Sequence, residues 1–103
     1  MSAATITCYA RQQTEKEFQT VVVQYARLLG YRVYHTHDSR RSEPGFPDLV
    51  LVREGRLLVA ELKRQTGRTS PAQQEWLELL RSAGVDAYIW RPSDWDEITE
   101  VLK

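Results

Sequence analysis

Cysteine is nearly missing from this chain: Cys8 is the only one in 103 residues. A lone thiol excludes an internal disulfide and a cysteine-rich zinc site. With no base or helix start beside it, Cys8 gives no support to a catalytic thiol either. Net charge is missing too, since 14 basic residues balance 14 acidic ones. The strongly basic composition of many nucleic-acid binders is therefore absent, although local fields matter more than the total. No apolar run approaches the roughly 20 residues of a membrane-spanning helix, and no basic-then-apolar leader is seen. Internal repeats and low-complexity tracts are lacking as well. The expectation is one small intracellular domain without membrane contact, built on an ordinary 42% of hydrophobic and 27% of charged residues.

Residues 1–13 show no sustained period and read as an N-terminal arm or extra strand, which leaves residues 14–103 as the domain. Thr14 and Glu17 have capping-box spacing, in which each side chain satisfies an orphan backbone N–H. Phe18, Val21, Val22, Tyr25, Ala26 and Leu29 follow at helical spacing until Gly30 stops the helix. Tyr31 to His37 alternates as a strand does. A polar loop punctuated by Pro44, Gly45 and Pro47 comes next. Asp48–Val52 and Leu57–Leu62 are almost uninterruptedly apolar, as strands covered on both faces are. Ser70-Pro71-Ala72-Gln73 combines an N-cap, a proline at the first helical position and a capping glutamine. Trp76, Leu77, Leu80 and Ala83 mark that helix's inner face. Val85–Arg91 is a further strand, and Asp94 and Glu97 suit the cap of a last short helix. The order α-β-β-β-α-β-α predicts an α/β domain of the α+β type, a mixed sheet flanked by helices, with the last two strands parallel.

Glu54-Gly55 sets the register of the central hairpin if it forms a two-residue turn. Arg53 then faces Arg56, and Asp48 faces Glu61, with Cβ atoms about 4.5–5.5 Å apart. Two opposed carboxylates in apolar strands repel one another, and a divalent cation reverses that sign. Lys63 falls on the same face as Glu61, while Leu62 turns its side chain into the core and leaves its backbone carbonyl near the acids. A three-residue turn with a bulge is the alternative. It slips the register by one and leaves Asp48, Glu61 and Lys63 as loop-capping or solvated residues.

Pro47-Asp48, followed in the next strand by Glu61-Leu62-Lys63, resembles the PD-(D/E)xK nuclease motif. Together with Glu17, Gly45-Phe46, Gly67 and Ser70-Pro71-Ala72-Gln73, the ordered set is similar to the VRR-NUC family of virus-type replication and repair nucleases. The likeness spans about Glu15 to Trp90. It implies a restriction-endonuclease-like αβββαβ core with a short C-terminal helix. By position it makes Asp48 and Glu61 ligands of Mg²⁺ or Mn²⁺, with the Leu62 carbonyl beside them, and Lys63 the catalytic lysine. Glu17 becomes an additional first-helix acid, and Gln73 approaches from the start of the second helix. Both also have plain roles as capping residues. The implied activity is DNA endonuclease cleavage, in which water attacks the scissile phosphorus and the 3′ oxygen leaves. The resemblance further implies structure-selective cutting of branched DNA such as four-way junctions or flaps, a homodimer with one site per strand, and a phage or mobile-element source. A non-catalytic nucleic-acid-binding module of the same fold is the alternative. A structural domain using Trp76 or Trp90 surfaces is a third.

Neutral totals conceal an uneven distribution. From Arg27 to Arg68 there are nine basic residues against five acidic, whereas from Asp86 onward five acids face two bases. Ser39-Arg40-Arg41-Ser42, just before Pro47-Asp48, suits phosphate contacts that position a strand without reading its sequence. Arg64 and Arg68, just beyond Lys63, are expected on the same rim. His35 and His37 share a strand face but have no third ligand at zinc spacing.

Overall fold

Thr14 opens the first helix with its hydroxyl, which accepts the Glu17 N–H at 3.0 Å and satisfies a donor that the helix start would otherwise orphan. The computed structural model describes residues 13–36 and 43–103. Helix α1 spans Glu15–Leu28, and its buried side chains Phe18, Val22, Val23 and Ala26 form one stripe. The helix closes with Gly30 N–H on the Arg27 carbonyl and Tyr31 N–H on the Ala26 carbonyl, each at 3.0 Å, the paired bonds of a Schellman motif. Strand β1 is Arg32–His35, shorter than the expected Tyr31–His37. Tyr31 instead seals the end of α1 and is buried.

Strands β2 (Leu49–Arg53) and β3 (Arg56–Leu62) follow, then helix α2 (Pro71–Ser82) and strand β4 (Asp86–Trp90). A 3₁₀ turn at Pro92–Asp94 leads into helix α3, Trp95–Leu102. The sheet runs β1-β2-β3-β4. The first two pairings are antiparallel and β3–β4 is parallel, with α2 as the connection. The mixed sheet flanked by helices is therefore as the sequence indicates.

One face of the sheet, bearing Leu49, Leu51, Leu58, Ala60 and Leu62, packs with Phe18 and Val22 of α1 and Ile98 and Leu102 of α3. On the other face Val59 and Ala87 pack with Leu77 of α2. Helix α2 covers β3 and β4 and leaves the outer face of β1 and the hairpin tip open. Coverage on both faces is consequently correct only for the later part of β3. Val52 remains 42% and Leu57 47% exposed, contrary to expectation, because no helix lies above them. Ala83, expected on the inner face of α2, is exposed because it is that helix's C-cap.

The hairpin tip is tied down by its own arginines. Arg53 donates to the Leu29 and Lys103 carbonyls at 2.9 Å each and lies over the Tyr31 ring. Arg56 donates to the Tyr31 hydroxyl at 3.1 Å. Two charges of the basic central stretch thus serve packing at the end of the hairpin remote from Asp48. Asp94 also differs from expectation. Its carboxylate accepts the Arg91 N–H at 2.8 Å and closes the 3₁₀ turn, and it makes no side-chain cap on α3.

Candidate metal centre

The centre begins with the turn. Glu54 and Gly55 both have positive φ, 46° and 79°, the type I′ conformation that a two-residue hairpin favours and that glycine adopts at no steric cost. Arg53 pairs with Arg56, and the register runs unbroken to Leu49 opposite Ala60. No bulge intervenes. One step further sets Asp48 across from Glu61, where the ladder ends and a side chain replaces the backbone: Asp48 Oδ2 accepts the Leu62 N–H at 2.8 Å. Strand alternation turns Glu61 to the α2 side and Leu62 into the α1 side. The Lys63 N–H continues the parallel pairing by donating to the Trp90 carbonyl at 3.0 Å.

Asp48 is held from its other side by the loop before it. Pro47 is fully buried, and the Phe46 ring meets Trp76 of α2 edge-on with centroids 5.1 Å apart. Gly45 has φ +92°, and a Cβ there would stand 2.4 Å from the backbone carbon of Ala72. Only glycine meets both demands, the left-handed backbone and the contact with the first turn of α2. The same close approach fixes the distance between Asp48's loop and the helix that carries Gln73.

Gln73 makes hydrogen bonds on two sides. Its Oε1 accepts the Ser70 N–H at 2.8 Å while Ser70 Oγ accepts the Gln73 N–H at 3.2 Å, a complete capping box. Its Nε2 donates to Glu61 Oε1 at 3.0 Å. The amide's oxygen therefore starts the helix, and its nitrogen holds the acid.

Glu61 is 1% exposed, and its Oε2 is buried without a hydrogen-bond partner. Lys63 Nζ stands 3.8 Å from Oε1. Burial and the adjacent Asp48 carboxylate push the Glu61 carboxyl up to about 9. The Lys63 ammonium pulls the other way and is outweighed. Burial and the charge of Asp48 likewise raise Glu15 above the ordinary carboxylate range. Oxygens of Glu15, Asp48 and Glu61 lie within 4.8 Å of one another. Three converging carboxylates, one with a buried oxygen that no protein group satisfies, fit a hard divalent cation. Such an ion offsets the repulsion from Asp48 that otherwise favours the protonated form of Glu61.

The first-helix acid in this cluster is Glu15 and not Glu17. Two residues on a helix lie about 200° apart around its axis, and Glu17 is exposed at the capping-box position. A signal for Glu15 exists in the sequence: it precedes Phe18, Val22 and Ala26 by three, seven and eleven residues, the phase of the buried stripe.

Residues 6–94 match the VRR-NUC domain. The chain belongs to the VRR-NUC family. A solved structure described as a VRR_NUC domain protein is 25% identical, with a TM-score of 0.68 over 86% of this chain and 85% of its own. A second, described as a VRR_NUC domain, is 22% identical, with a TM-score of 0.71 over 87% of this chain and 96% of its own, and shows the shared fold. No curated protein matches significantly. This is a nuclease family, and the domain's acidic cluster suits a divalent cation.

Around this VRR-NUC centre, Arg64 and Arg68 are exposed on the loop that follows Lys63. Arg91 pins that loop by donating to the Gly67 carbonyl at 2.8 Å, and Gln65 pairs with Ser93 through two bonds of 2.9 and 3.0 Å. Ser39, Arg40, Arg41 and Ser42 lie outside the described residues, as do Cys8 and His37. No described helix is long and apolar enough to cross a membrane.

Proposed function

We propose that this VRR-NUC domain is a Mg²⁺- or Mn²⁺-dependent DNA endonuclease, with Glu15, Asp48, Glu61 and the Leu62 carbonyl as cation ligands. The observation that carries the reading is Glu61, buried with an unsatisfied oxygen beside two further carboxylates. A structural domain gains nothing from an arrangement that costs it stability. A bound cation would supply Lewis-acid stabilisation of the charge developing on phosphate and lower the pKa of water. Lys63, 13% exposed and next to Glu61, orients the attacking water and stabilises phosphate charge. Gln73 holds Glu61 in its rotamer, and the Leu62 N–H holds Asp48. Water adds to phosphorus, the bond to the 3′ oxygen breaks, and the products carry a 5′ phosphate and a 3′ hydroxyl.

The reading extends to branched DNA cut by a homodimer, since one domain offers one site and a two-fold pair presents two. The open sheet face bearing Tyr34, Val52 and Leu57 is an apolar surface available for that contact. Ser39, Arg40, Arg41, Ser42, Arg64 and Arg68 are proposed to hold the DNA backbone. Labelled junction, flap and linear DNA incubated with Mg²⁺, Mn²⁺ or EDTA test the activity. Cation-dependent cleavage favouring a branched substrate supports the proposal. Binding without cleavage indicates the non-catalytic module, and neither indicates a structural domain. Sedimentation that reports only monomer, with and without DNA, removes the dimer.

A further inference from the structure

A groove of about 830 Å³ runs between α1 and the end of β1. On the α1 side it is lined by Lys16, Thr20, Gln24 and Arg27, spaced four, four and three residues apart on one stripe of the helix. All four are exposed. His35 and Thr36 face them from the end of β1, and among the described residues Val23 is the only apolar side chain in the lining. Among the described residues the groove's only acid is Glu15, the first-helix member of the carboxylate cluster. A cationic and polar channel therefore opens at one end onto the acids that suit a divalent ion.

We infer that this groove seats the backbone of a DNA strand leading to the metal centre, with Lys16 and Arg27 on phosphates and Thr20 and Gln24 as hydrogen-bonding groups between them. The inference rests on the nuclease reading and adds a strand path to it. Eleven residues of helix separate the two cations, about 16 Å along the axis. A separation of that size spans more than one phosphate of a single strand, so the two cations can meet different phosphates. Between them Thr20 and Gln24 recur at one-turn intervals, a hydroxyl and an amide of the kind that positions a backbone without reading its sequence. Among the described residues neither Lys16 nor Arg27 forms an ion pair. In a chain of zero net charge, attraction for a polyanion has to come from a local stripe of this kind.

The test is DNA binding by the full chain in EDTA, where cleavage is silent and the cation contributes nothing. Fluorescence anisotropy on labelled single-stranded and duplex oligonucleotides is repeated across a salt series. Lys16→Ala with Arg27→Ala is expected to weaken binding about tenfold or more. It should also flatten the slope of log K against log salt by about 1.4 on single strands and 1.8 on duplex, the value for two lost phosphate contacts. Thr20→Glu, which places a carboxylate in mid-groove, is expected to weaken binding as well. All three positions are exposed, so circular dichroism should report unchanged folding. Unchanged slopes and affinities in folded variants overturn the groove while leaving the nuclease reading intact. Conversely, a wild-type protein that never cleaves DNA overturns the nuclease reading, and the salt slopes still decide the groove. Where cleavage is seen, KM should rise in the double variant with kcat nearly constant, as for a contact made equally in ground and transition states.

Discussion

Glu61→Gln should make the cation-free protein more stable, and increasingly so as pH rises. The Glu61 carboxyl sits at about 9 in the fold against its ordinary 4.5. Between those values the unfolded chain releases the proton while the folded protein keeps it. The native state therefore binds more protons, and stability falls with pH by at most about 1.4 kcal/mol per unit. At pH 7 the accumulated cost approaches about 3 kcal/mol by the same linkage. An amide cannot ionise, so the variant escapes this cost. It still has an oxygen to accept from Gln73 Nε2, now at 3.0 Å from Glu61 Oε1, and an NH₂ to donate to Asp48. What it loses is the 3.8 Å contact with Lys63, which is no ion pair while Glu61 keeps its proton and so offsets only part of the gain. At roughly 4–8 °C per kcal/mol for a domain of this size, the gain in Tm at pH 7 is on the order of 10 °C. Thermal melts in EDTA from pH 5 to pH 9 measure it. The variant's advantage should be small at pH 5 and grow steadily, and Mg²⁺ or Mn²⁺ should narrow it by stabilising only the wild type. An advantage that is flat with pH, or a variant less stable than wild type at pH 8, rules out a raised Glu61 carboxyl as the source of the cost.

Gly45→Ala should lower stability by about 2–3 kcal/mol in urea unfolding, combining left-handed strain with overlap on the Ala72 backbone, and should cut activity by displacing Asp48. Glu15→Gln should weaken Mn²⁺ binding by about tenfold or more, comparable at least to loss of an outer-shell partner. Glu17→Gln should change it less than about twofold, and calorimetric titration of both separates the two acids. Mn²⁺ affinity should fall about tenfold for each pH unit below about 9, since Glu61 must give up one proton to bind the ion. Titrations at pH 6, 7 and 8 check that slope, and an affinity independent of pH contradicts it.

The opposition of Asp48 and Glu61 is legible in the sequence because it depends on two turn residues and simple counting, and Glu54-Gly55 adopts the turn that the counting requires. The dual use of Gln73 is legible for a similar reason: capping chemistry places it at the start of α2, and α2 starts beside β3. Glu15 was obscured by its neighbour. Glu17 has the capping-box spacing, whereas the claim of Glu15 rests on helical phase relative to Phe18, Val22 and Ala26. Gly45 illustrates a different limit. Its motif points to a turn, but its contact with Ala72 joins segments more than twenty residues apart, and no local pattern encodes that distance. Val52 and Leu57 read as interior because they are apolar, yet exposure depends on where α2 lies, which is a tertiary fact. Asp94 read as a cap for α3, but Pro92 begins a 3₁₀ turn first, and the carboxylate closes that turn through Arg91.

The central claim is that Asp48, Glu61 and Lys63 divide the work of cation-dependent cleavage. Single-turnover cutting of labelled branched DNA with Mn²⁺, run side by side on wild type, Asp48→Asn and Lys63→Ala, tests it most directly. Wild type should cleave in a manner that EDTA abolishes, and each variant should lose about 10²–10³-fold or more. Cleavage by either variant at the wild-type rate, or by wild type in EDTA, contradicts it.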